Sequence, residues 1–425
     1  MKPEEWTKVK INQFGEIITG STPDTKNIGY WGGNIPFVSP ADFRFSVFVK
    51  KTERTLTEQG VKQSRLIPEA SILVTCIGSI GGIAIASCNC VTNQQINSVV
   101  CNDNIDDLFA YFLIQNNLFK LKELAGITTL PIINKTVFGN IELLCPTSIK
   151  EQEKIAEVLS TIDRAIEQTE AIIAKQQRIK TGLMQDLLTK GIDEDGNVRS
   201  EETHEFKDSP LGRIPVDWEV EVFGNRVKSS AFGPRFPSTA YSEKGSFAVL
   251  RTTDLDPEGK ISYEQMPLTN LPEKEFEKHI LESGDLLITR SGTCGVPAVF
   301  GSFDVPTIPG AFLIRFRLNE DSIKPRYAHI YFNWDIGRKR LLDLAEGGVQ
   351  KNLRGSTINQ MLFVFPNIKE QERIIERFNA VEFEKNLILE HLKKLNSLKT
   401  GLMQDLLTGN VRVTELLKDT AEASP

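Results

Sequence analysis

The sequence lacks the motifs by which many soluble enzymes are recognised. No GxxxxGK[ST], HExxH or GxSxG occurs in its 425 residues. The segments "GSIGG" and "SGTCG" fit turns at strand ends better than a dinucleotide fingerprint, which leads into a helix. The "PDTK" at 23–26 is too common a pattern to indicate a nuclease metal site. The chain is therefore predicted to be a binding protein and not, by itself, an enzyme.

Cysteine and histidine are few and dispersed. The six cysteines form no CxxC pair, and the four histidines share no ligand spacing, so no metal site is expected in this chain. The pattern favours buried free thiols, and the alternative is that "CNC" at 88–90 supplies half a metal site. The cysteines are Cys76, Cys88, Cys90, Cys101, Cys145 and Cys294, and the histidines are His204, His279, His329 and His391.

Long apolar runs and a positive net charge are also missing. The N-terminal "MKPEEWTKVK" has no apolar core, which predicts a cytoplasmic protein without a membrane partner. The net charge of −6 argues against nucleic-acid binding by bulk charge. However, residues 1–147 carry 13 basic and 13 acidic groups, and residues 213–366 carry 19 of each, so a basic face on each segment is permitted.

The sequence does contain a long internal repeat. The decapeptide "KTGLMQDLLT" stands at 180–189 and again at 399–408, and a gapless alignment of 151–189 with 370–408 gives 16 identities. "GNVR" also recurs, at 196–199 and 409–412. The segments before these blocks match more weakly, with Trp6 and Trp218 opening each unit. The chain is therefore a tandem repeat of a variable segment and a shared one.

The shared blocks are predicted to be long helices. Apolar residues recur at spacings of four and three through 149–188 and through its copy, which is typical of a coiled-coil seam. Each helix would be about 60 Å long and would need a partner to cover its apolar stripe. Antiparallel pairing places Gln176 opposite Lys385 and keeps Lys180 away from Lys399. We therefore predict an antiparallel coiled coil.

The repeated helix ends indicate two equivalent docking surfaces for two copies of one partner, although recent duplication without a selected role would also explain them. The residues predicted to form these surfaces are Leu183, Met184 and Leu187 with their copies Leu402, Met403 and Leu406.

The variable segments are predicted to be α+β domains, each with short β-rich runs followed by a helix, at 106–125 and 326–346. The predicted order is a first domain at 1–147, a helix at 148–189, a linker at 190–212, a second domain at 213–366, a helix at 367–408 and a tail at 409–425.

Basic, amide and aromatic residues cluster in the predicted loops of both domains. Arg and Lys read guanine edges, Asn and Gln read adenine edges, and loop cations also contact phosphate. We expect the loops as a class to bind DNA, while any single residue is as well explained as solvated charge. The candidates are Lys26, Tyr30, Trp31, Arg44, Lys50, Lys51, Asn93, Gln94, Gln95, Arg226, Lys228, Arg235, Phe236, Arg251, Arg290, Asn352 and Arg354.

In this repeated order, the chain resembles the specificity subunits of type I restriction–modification systems. The resemblance covers nearly all of it. It rests on a Trp near the start of each domain, a Pro shortly before "EQ" at 151–152 and 370–371, the "GLMQDLLTG" ending and the "GDLLITRSG" turn at 284–292.

The resemblance implies a non-catalytic subunit with two target recognition domains, each reading one half of a bipartite target in double-stranded DNA. It also implies that the helices set the spacing and dock two modification subunits, which methylate adenine with S-adenosylmethionine. Two restriction subunits would add cleavage that depends on ATP and Mg, and these cofactors are expected in the partners alone. The alternative is a non-catalytic scaffold that joins protein partners.

Overall fold

The computed structural model describes residues 5–43, 47–124, 131–347 and 351–417. The chain divides into two units: residues 1–172 with 388–425 form unit 1, and residues 173–387 form unit 2. Each unit therefore contains one of the predicted α+β segments and parts of both long helices. Within the described ranges, no helix is long and apolar enough to cross a membrane.

Unit 1 is built on three sheets with short helices. A five-stranded sheet has the order β2-β10-β7-β8-β4, a four-stranded sheet has the order β5-β3-β9-β6, and β1 pairs with β11. The strands are β1 Trp6–Lys10, β2 Gly15–Thr19, β3 Trp31–Val38, β4 Phe48–Val49, β5 Arg54–Leu56, β6 Leu66–Ile67, β7 Ile72–Thr75, β8 Ile83–Ala86, β9 Cys90–Thr92, β10 Ile96–Cys101 and β11 Glu142–Pro146. The helices are α1 Glu58–Lys62, α2 Asp107–Asn116, α3 Leu118–Leu124 and α4 Lys135–Gly139.

Unit 2 repeats this plan with four sheets. Their orders are β15-β22-β19-β20, β16-β18-β17-β21, β14-β23 and β12-β13. The strands are β12 Phe206–Ser209, β13 Gly212–Pro215, β14 Glu219–Val222, β15 Val227–Phe232, β16 Tyr241–Ser242, β17 Phe247–Leu250, β18 Leu268–Thr269, β19 Leu286–Thr289, β20 Pro297–Val299, β21 Thr307–Pro309, β22 Leu313–Leu318 and β23 Leu362–Phe365. The helices are α6 Glu273–Phe276, α7 Pro325–Asn333, α8 Asp335–Asp343 and α9 Gly355–Asn359.

The two long helices are α5 Ile149–Thr189 and α10 Ile368–Leu406, where the repeat predicted helices. In both copies a left-handed glycine, Gly191 or Gly409, follows the helix within three residues, each at φ 73°. At Gly191 a Cβ would lie 2.2 Å from Glu370 Oε1 and 2.5 Å from the Trp218 ring. Glycine is therefore required there by space as well as by backbone conformation.

Two shorter predictions need correction. The helix predicted over 106–125 is two helices, α2 and α3, because the segment turns at Asn117, whose side-chain amide donates to the Leu113 carbonyl. The helix predicted over 326–346 is likewise α7 and α8, which meet at the extended residue Trp334.

The segment predicted as a linker, 190–212, contains β12 and the start of the β12–β13 hairpin.

The core of each unit includes the end of one long helix. In unit 1, Leu406 is the last residue of α10 and Leu407 follows it. Both belong to the core that contains Trp6, Phe109 and Phe112. Leu187 and Leu188 of α5 belong to the core that contains Trp218 and Phe223 in unit 2. Each α+β segment is thus completed by the end of the helix that follows the other segment.

Candidate recognition grooves and helix closures

A groove of about 260 Å³ in unit 1 gathers several of the predicted loop residues. Asn93 and Gln94 lie on its wall beside Arg54, and Thr22 Oγ1 donates to Gln94 Oε1 at 2.7 Å. The guanidinium of Arg54 stacks on the Trp31 ring, 3.5 Å from the centroid. Aromatic and amide groups with a cation are the side-chain types used to read base edges.

A buried carboxylate shapes this groove. Asp42 is 6% exposed, and its Oδ2 accepts from the Ser39 backbone N–H and hydroxyl, each at 2.8 Å. Its Oδ1 accepts from the Glu53 backbone N–H at 2.9 Å. Since Glu53 directly precedes Arg54, the carboxylate fixes both the turn after β3 and the start of β5.

Unit 2 has a larger groove, of about 620 Å³, at the corresponding turn. Arg235, Phe236 and Arg251 line it together with Tyr241 and Phe312. Phe236 packs edge-on against Tyr241, with centroids 5.6 Å apart, and Phe312 is 58% exposed. The floor of this groove is therefore more aromatic than that of the groove in unit 1.

The turn beside this groove is held by Asp254, which stands 212 residues after Asp42. Asp254 is 1% exposed and accepts from the Arg251 backbone N–H at 2.8 Å and from its guanidinium at 2.7 Å. The two units thus share one buried-carboxylate turn, and they differ in the side chains that it presents. Neither aspartate was predicted from the sequence. The signal was the Asp that ends both "SPAD" at 39–42 and "RTTD" at 251–254, at matching positions of the repeat.

The remaining predicted contact residues are spread over both units. Arg44 lies outside the described residues. Exposed side chains are those of Lys26, Lys50, Lys51, Gln94, Lys228, Arg235 and Arg354, and half-buried ones are those of Tyr30, Trp31, Asn93, Gln95, Arg226, Phe236, Arg251, Arg290 and Asn352.

Several of the predicted cations are already paired within the protein. Arg226 contacts Glu219 and Glu221 at 2.8 and 3.1 Å. Arg354 pairs with Glu346 at 2.7 Å. These contacts position the loops, and a cation so paired has less capacity for a new anionic partner.

Arg290 joins one other predicted residue, Asn352, to an aromatic ring. Its Nε donates to Asn352 Oδ1 at 3.1 Å, and its guanidinium lies 4.3 Å from the centroid of Phe232. Its backbone N–H donates to the Phe312 carbonyl at 2.9 Å, which connects this cluster to the edge of the unit 2 groove.

The cysteines fit their predicted role in part. Cys76, Cys90 and Cys145 are buried, and burial raises the pKa of Cys76 to about 11, which keeps it a neutral thiol. Cys88 is exposed, so the buried-thiol reading fails for that residue. The part of the chain that the structure describes contains no cluster of His, Cys, Asp or Glu able to hold a metal ion.

In unit 1, the start of α5 is closed by an arginine that follows α10. Glu151 is 1% exposed, and the guanidinium of Arg412 donates to it at 2.5 and 2.8 Å. The same guanidinium reaches Glu5 at 2.6 Å, beside Trp6. The hydrogen bond to Glu151 and the further one to Glu5 raise the pKa of Arg412 above its ordinary value.

Unit 2 has the same closure. Arg199 donates to Glu370 at 3.0 Å and to Asp217 at 3.1 Å. Glu370, which is fully buried, also accepts from Trp218 Nε1 and from the Ile192 backbone N–H, each at 3.0 Å. Burial raises the pKa of Glu370, and these hydrogen bonds oppose the rise.

The closures explain two motifs that the sequence showed without a reason. In each unit, the Glu of the "EQ" at the start of one long helix accepts a hydrogen bond from the Arg of the "GNVR" that follows the other long helix. The pairs are Glu151 with Arg412 and Glu370 with Arg199. The neighbouring glutamines are equally matched: Gln152 donates to the Pro146 carbonyl at 3.0 Å, and Gln371 donates to the Pro366 carbonyl at 2.8 Å.

Charged and polar side chains join segments of the two long helices within each unit. In unit 1, Lys399 pairs with Asp163 at 2.6 Å. In unit 2, Lys180 pairs with Glu382 at 3.1 Å, and Lys385 donates to Gln177 at 2.7 Å. The neighbour of Lys385 is thus Gln177, one residue beyond the Gln176 expected from the seam.

The residues predicted to dock a partner lie mostly inside the protein. Met184, Leu187 and Leu406 are buried, and the other three are half-buried against the same cores. The two copies of the helix end are equivalent in their packing, because each one lies against one α+β segment. The exposed positions of the repeated decapeptide are instead Thr181, Gly182, Gln185, Thr400, Gly401, Gln404 and Asp405.

The chain is similar to known proteins along most of its length. A family model described as "Type I restriction modification DNA specificity domain" matches residues 3–176 and 215–400. The chain is 26% identical over 431 residues to the type I restriction enzyme MjaIX specificity subunit of Methanocaldococcus jannaschii, covering 97% of this chain and 95% of that protein. It is 33% identical over 176 residues to the HindI specificity subunit of Haemophilus influenzae, covering 39% and 38% of the two chains.

The fold is also similar to that of a solved structure. The type I restriction–modification system S subunit from M. genitalium superposes with a TM-score of 0.59 at 16% identity, covering 95% of this chain and 96% of that chain. The family model matches twice, once in each repeat, and the matched ranges contain both grooves and both buried glutamates. The chain therefore belongs to the family of type I restriction–modification DNA specificity subunits.

Proposed function

We propose that the chain reads a bipartite target in double-stranded DNA, with one half recognised by the groove of each unit. The observation that carries the proposal is the shared turn of Asp42 and Asp254, which presents different side chains in the two units. A repeated scaffold with different readers fits a target whose two halves differ in sequence. Cations beside both grooves would contribute phosphate contacts, despite the acidic net charge of the chain.

The paired helices would set the separation of the two half-sites. Half-sites on one side of the duplex are about one helical turn, or ~34–36 Å, apart. An antiparallel coiled coil formed by α5 and α10 would hold that separation through ion pairs such as Lys399–Asp163 and Lys180–Glu382. In this role the helix pair acts as a ruler, and the number of bases between the half-sites follows from its length.

We further propose that two modification subunits dock on the exposed faces of the repeated helix ends. Gly182 and Gly401 lie inside helices, where glycine is unfavourable by about 0.5–1 kcal/mol relative to alanine. A Cβ at either position would meet nothing within 4 Å in the chain itself. A partner whose backbone approaches these two glycines would supply the reason for keeping them, and Gln185 and Gln404 would lie beside it.

Replacing both glycines with alanine is expected to separate folding from assembly. Gly182→Ala and Gly401→Ala should each stabilise the free chain by about 0.5–1 kcal/mol, because alanine restricts the unfolded chain and favours the helix. The same changes should weaken binding of the modification subunit, because the added methyl groups occupy its contact face. Thermal unfolding of the free chain and titration with the modification subunit would measure the two effects. Stabilisation without loss of binding would contradict this docking site.

The chain would act without catalytic groups of its own. In the assembled complex, S-adenosylmethionine would be used by the modification subunits to methylate adenine, and ATP and Mg would be used by restriction subunits where these join. This division of labour fits the name shared by the relatives, each of which is called a specificity subunit.

Mapping of N6-methyladenine tests the proposal directly. DNA from a host that expresses this chain with its cognate modification subunit should carry a gapped two-part motif. The motif should vanish when the chain is omitted. A stable complex that yields no new motif would favour the scaffold alternative, in which the grooves bind protein.

Salt dependence offers an independent check on the same complex. Affinity for DNA should fall linearly with the logarithm of salt concentration, because binding releases counterions from the phosphates. A complex with seven phosphate contacts, for example, would lose roughly four orders of magnitude in affinity between 50 and 200 mM salt. Affinity that hardly changes over this range would contradict DNA binding.

A further inference from the structure

We propose that Arg54 is a base-reading residue of unit 1 and contacts the edge of a guanine, while Trp31 positions it. This inference rests on the proposed function, and it assigns a specific role within the half-site that unit 1 reads. Arg54 is exposed and stands at the first position of β5, on the wall of the groove.

The orientation of the Arg54 side chain is fixed by stacking. Its guanidinium lies 3.5 Å from the centroid of Trp31 and 5.8 Å from that of Phe37, and these two rings pack edge to face at 5.0 Å. Trp31 is in turn anchored, because its Nε1 donates to the Asp24 carbonyl at 3.2 Å. A planar guanidinium held on a ring loses less entropy when it forms two parallel hydrogen bonds.

The donors of Arg54 remain available. Among the described residues, no hydrogen bond or ion pair involves its guanidinium, and its backbone carbonyl accepts from Thr52. In contrast, Arg251 of the unit 2 groove is engaged by the carboxylate of Asp254. An oriented guanidinium with free donors matches the O6 and N7 acceptors of guanine, the commonest specific contact of arginine with DNA.

The surroundings of Arg54 favour a base over a phosphate. The carboxylate of Asp42 lines the same groove, and it would repel a phosphate drawn into it. Of the three amides nearby, Asn93 and Gln95 bond to each other at 2.9 Å, while the carbonyl of Gln94 accepts from Thr22. Among the described residues, no hydrogen bond uses the amide nitrogen of Gln94, so this groove residue can supply a second donor for a neighbouring base.

Methylation mapping of variants tests this assignment with the complete complex of chain and modification subunits. Arg54→Ala should relax one G·C position in one half-site, with discrimination falling about 10- to 100-fold, as expected for loss of a bidentate contact. The other half-site and the gap should stay unchanged. Trp31→Ala should relax the same position more weakly, and Trp31→Phe should restore part of the discrimination because an aromatic face remains.

The matched control is Lys8→Ala, which removes a cation of unit 1 on the separate β1–β11 sheet, where it lies 3.8 Å from Glu142. This variant should methylate the wild-type motif. An Arg54→Ala complex with an unchanged motif would overturn the assignment. Uniform weakening over all sequences, with a salt slope reduced by about 1, would also overturn it, because that result identifies a phosphate contact. Absence of any motif with the wild-type chain would instead overturn the proposed function.

Discussion

Replacing Arg199 with methionine is expected to destabilise unit 2 by about 3–5 kcal/mol. Glu370 is fully buried, and Arg199 is the cation that contacts it, at 3.0 Å. Methionine fills part of the space of the arginine stem but leaves the carboxylate without a counter-charge. The remaining hydrogen bonds from Trp218 and Ile192 satisfy its oxygens and do not neutralise it.

The size of this loss should depend on pH. Burial raises the pKa of Glu370 above the ordinary value of 4.5, so the folded state favours the protonated form. A group with a raised folded pKa contributes stability that is present at low pH and lost as pH rises through the folded value. Removal of Arg199 raises that pKa further. The difference between variant and wild type should therefore be largest at pH 8 and shrink as pH falls toward 4.5.

Urea unfolding of the two proteins at pH 8 and pH 5 measures both effects. Arg213→Met is the matched control, because it removes an arginine of unit 2 whose partners, Glu201 and Asp208, are exposed. This control should change the unfolding midpoint little at either pH. Equal losses for the two variants, or a loss at Arg199 that grows on acidification, would contradict the role assigned to the buried pair.

The architecture of the chain could be predicted from the sequence because two patterns are visible there: the periodic spacing of apolar residues and the internal repeat. The apolar spacing of 149–188 marks a long helix, and the identical decapeptides mark a duplication, since both signals are local. The short helices were less predictable. The breaks fall at Asn117 and Trp334, which are neither glycine nor proline, and their effect depends on tertiary contacts.

The proposed recognition residues could be predicted only by type. Arg226 and Arg251 have the same chemistry as Arg54 in a sequence, but ion pairs to Glu219 and Asp254 engage the first two. Which arginine keeps free donors depends on contacts between residues far apart in the chain. The same reason explains the glutamates: Glu151 and Glu370 resemble solvated helix charges until Arg412 and Arg199 are placed beside them.

The helix ends show a third case, in which packing inside the chain explains a repeated sequence. Identical sequences suggested an external partner, yet Leu187 and Leu406 are 1% and 4% exposed within the chain. The repeated leucines are accounted for by two similar α+β cores. Only the exposed positions of the same decapeptide are left for an external partner.

Truncating these two leucines separately should destabilise different units. Leu187→Ala removes a side chain from the core around Trp218, and Leu406→Ala removes one from the core around Phe109 and Phe112. Each change should cost about 2–5 kcal/mol, from lost burial and the cavity that remains. Because the cores are distinct, Leu187→Ala should weaken unit 2 and leave unit 1 protected, and Leu406→Ala should do the reverse.

Hydrogen–deuterium exchange of the full chain can read the two units independently. With Leu187→Ala, exchange should rise in β19 and β22, and with Leu406→Ala it should rise in β7 and β10. Gln185→Ala and Gln404→Ala serve as controls, since both side chains are exposed on the same helix turns. Faster exchange in the same unit for both leucine variants would contradict the packing described here. Opposite responses would establish that the two copies of the decapeptide complete different cores. The copy at 180–189 would complete the core of unit 2, and the copy at 399–408 would complete the core of unit 1.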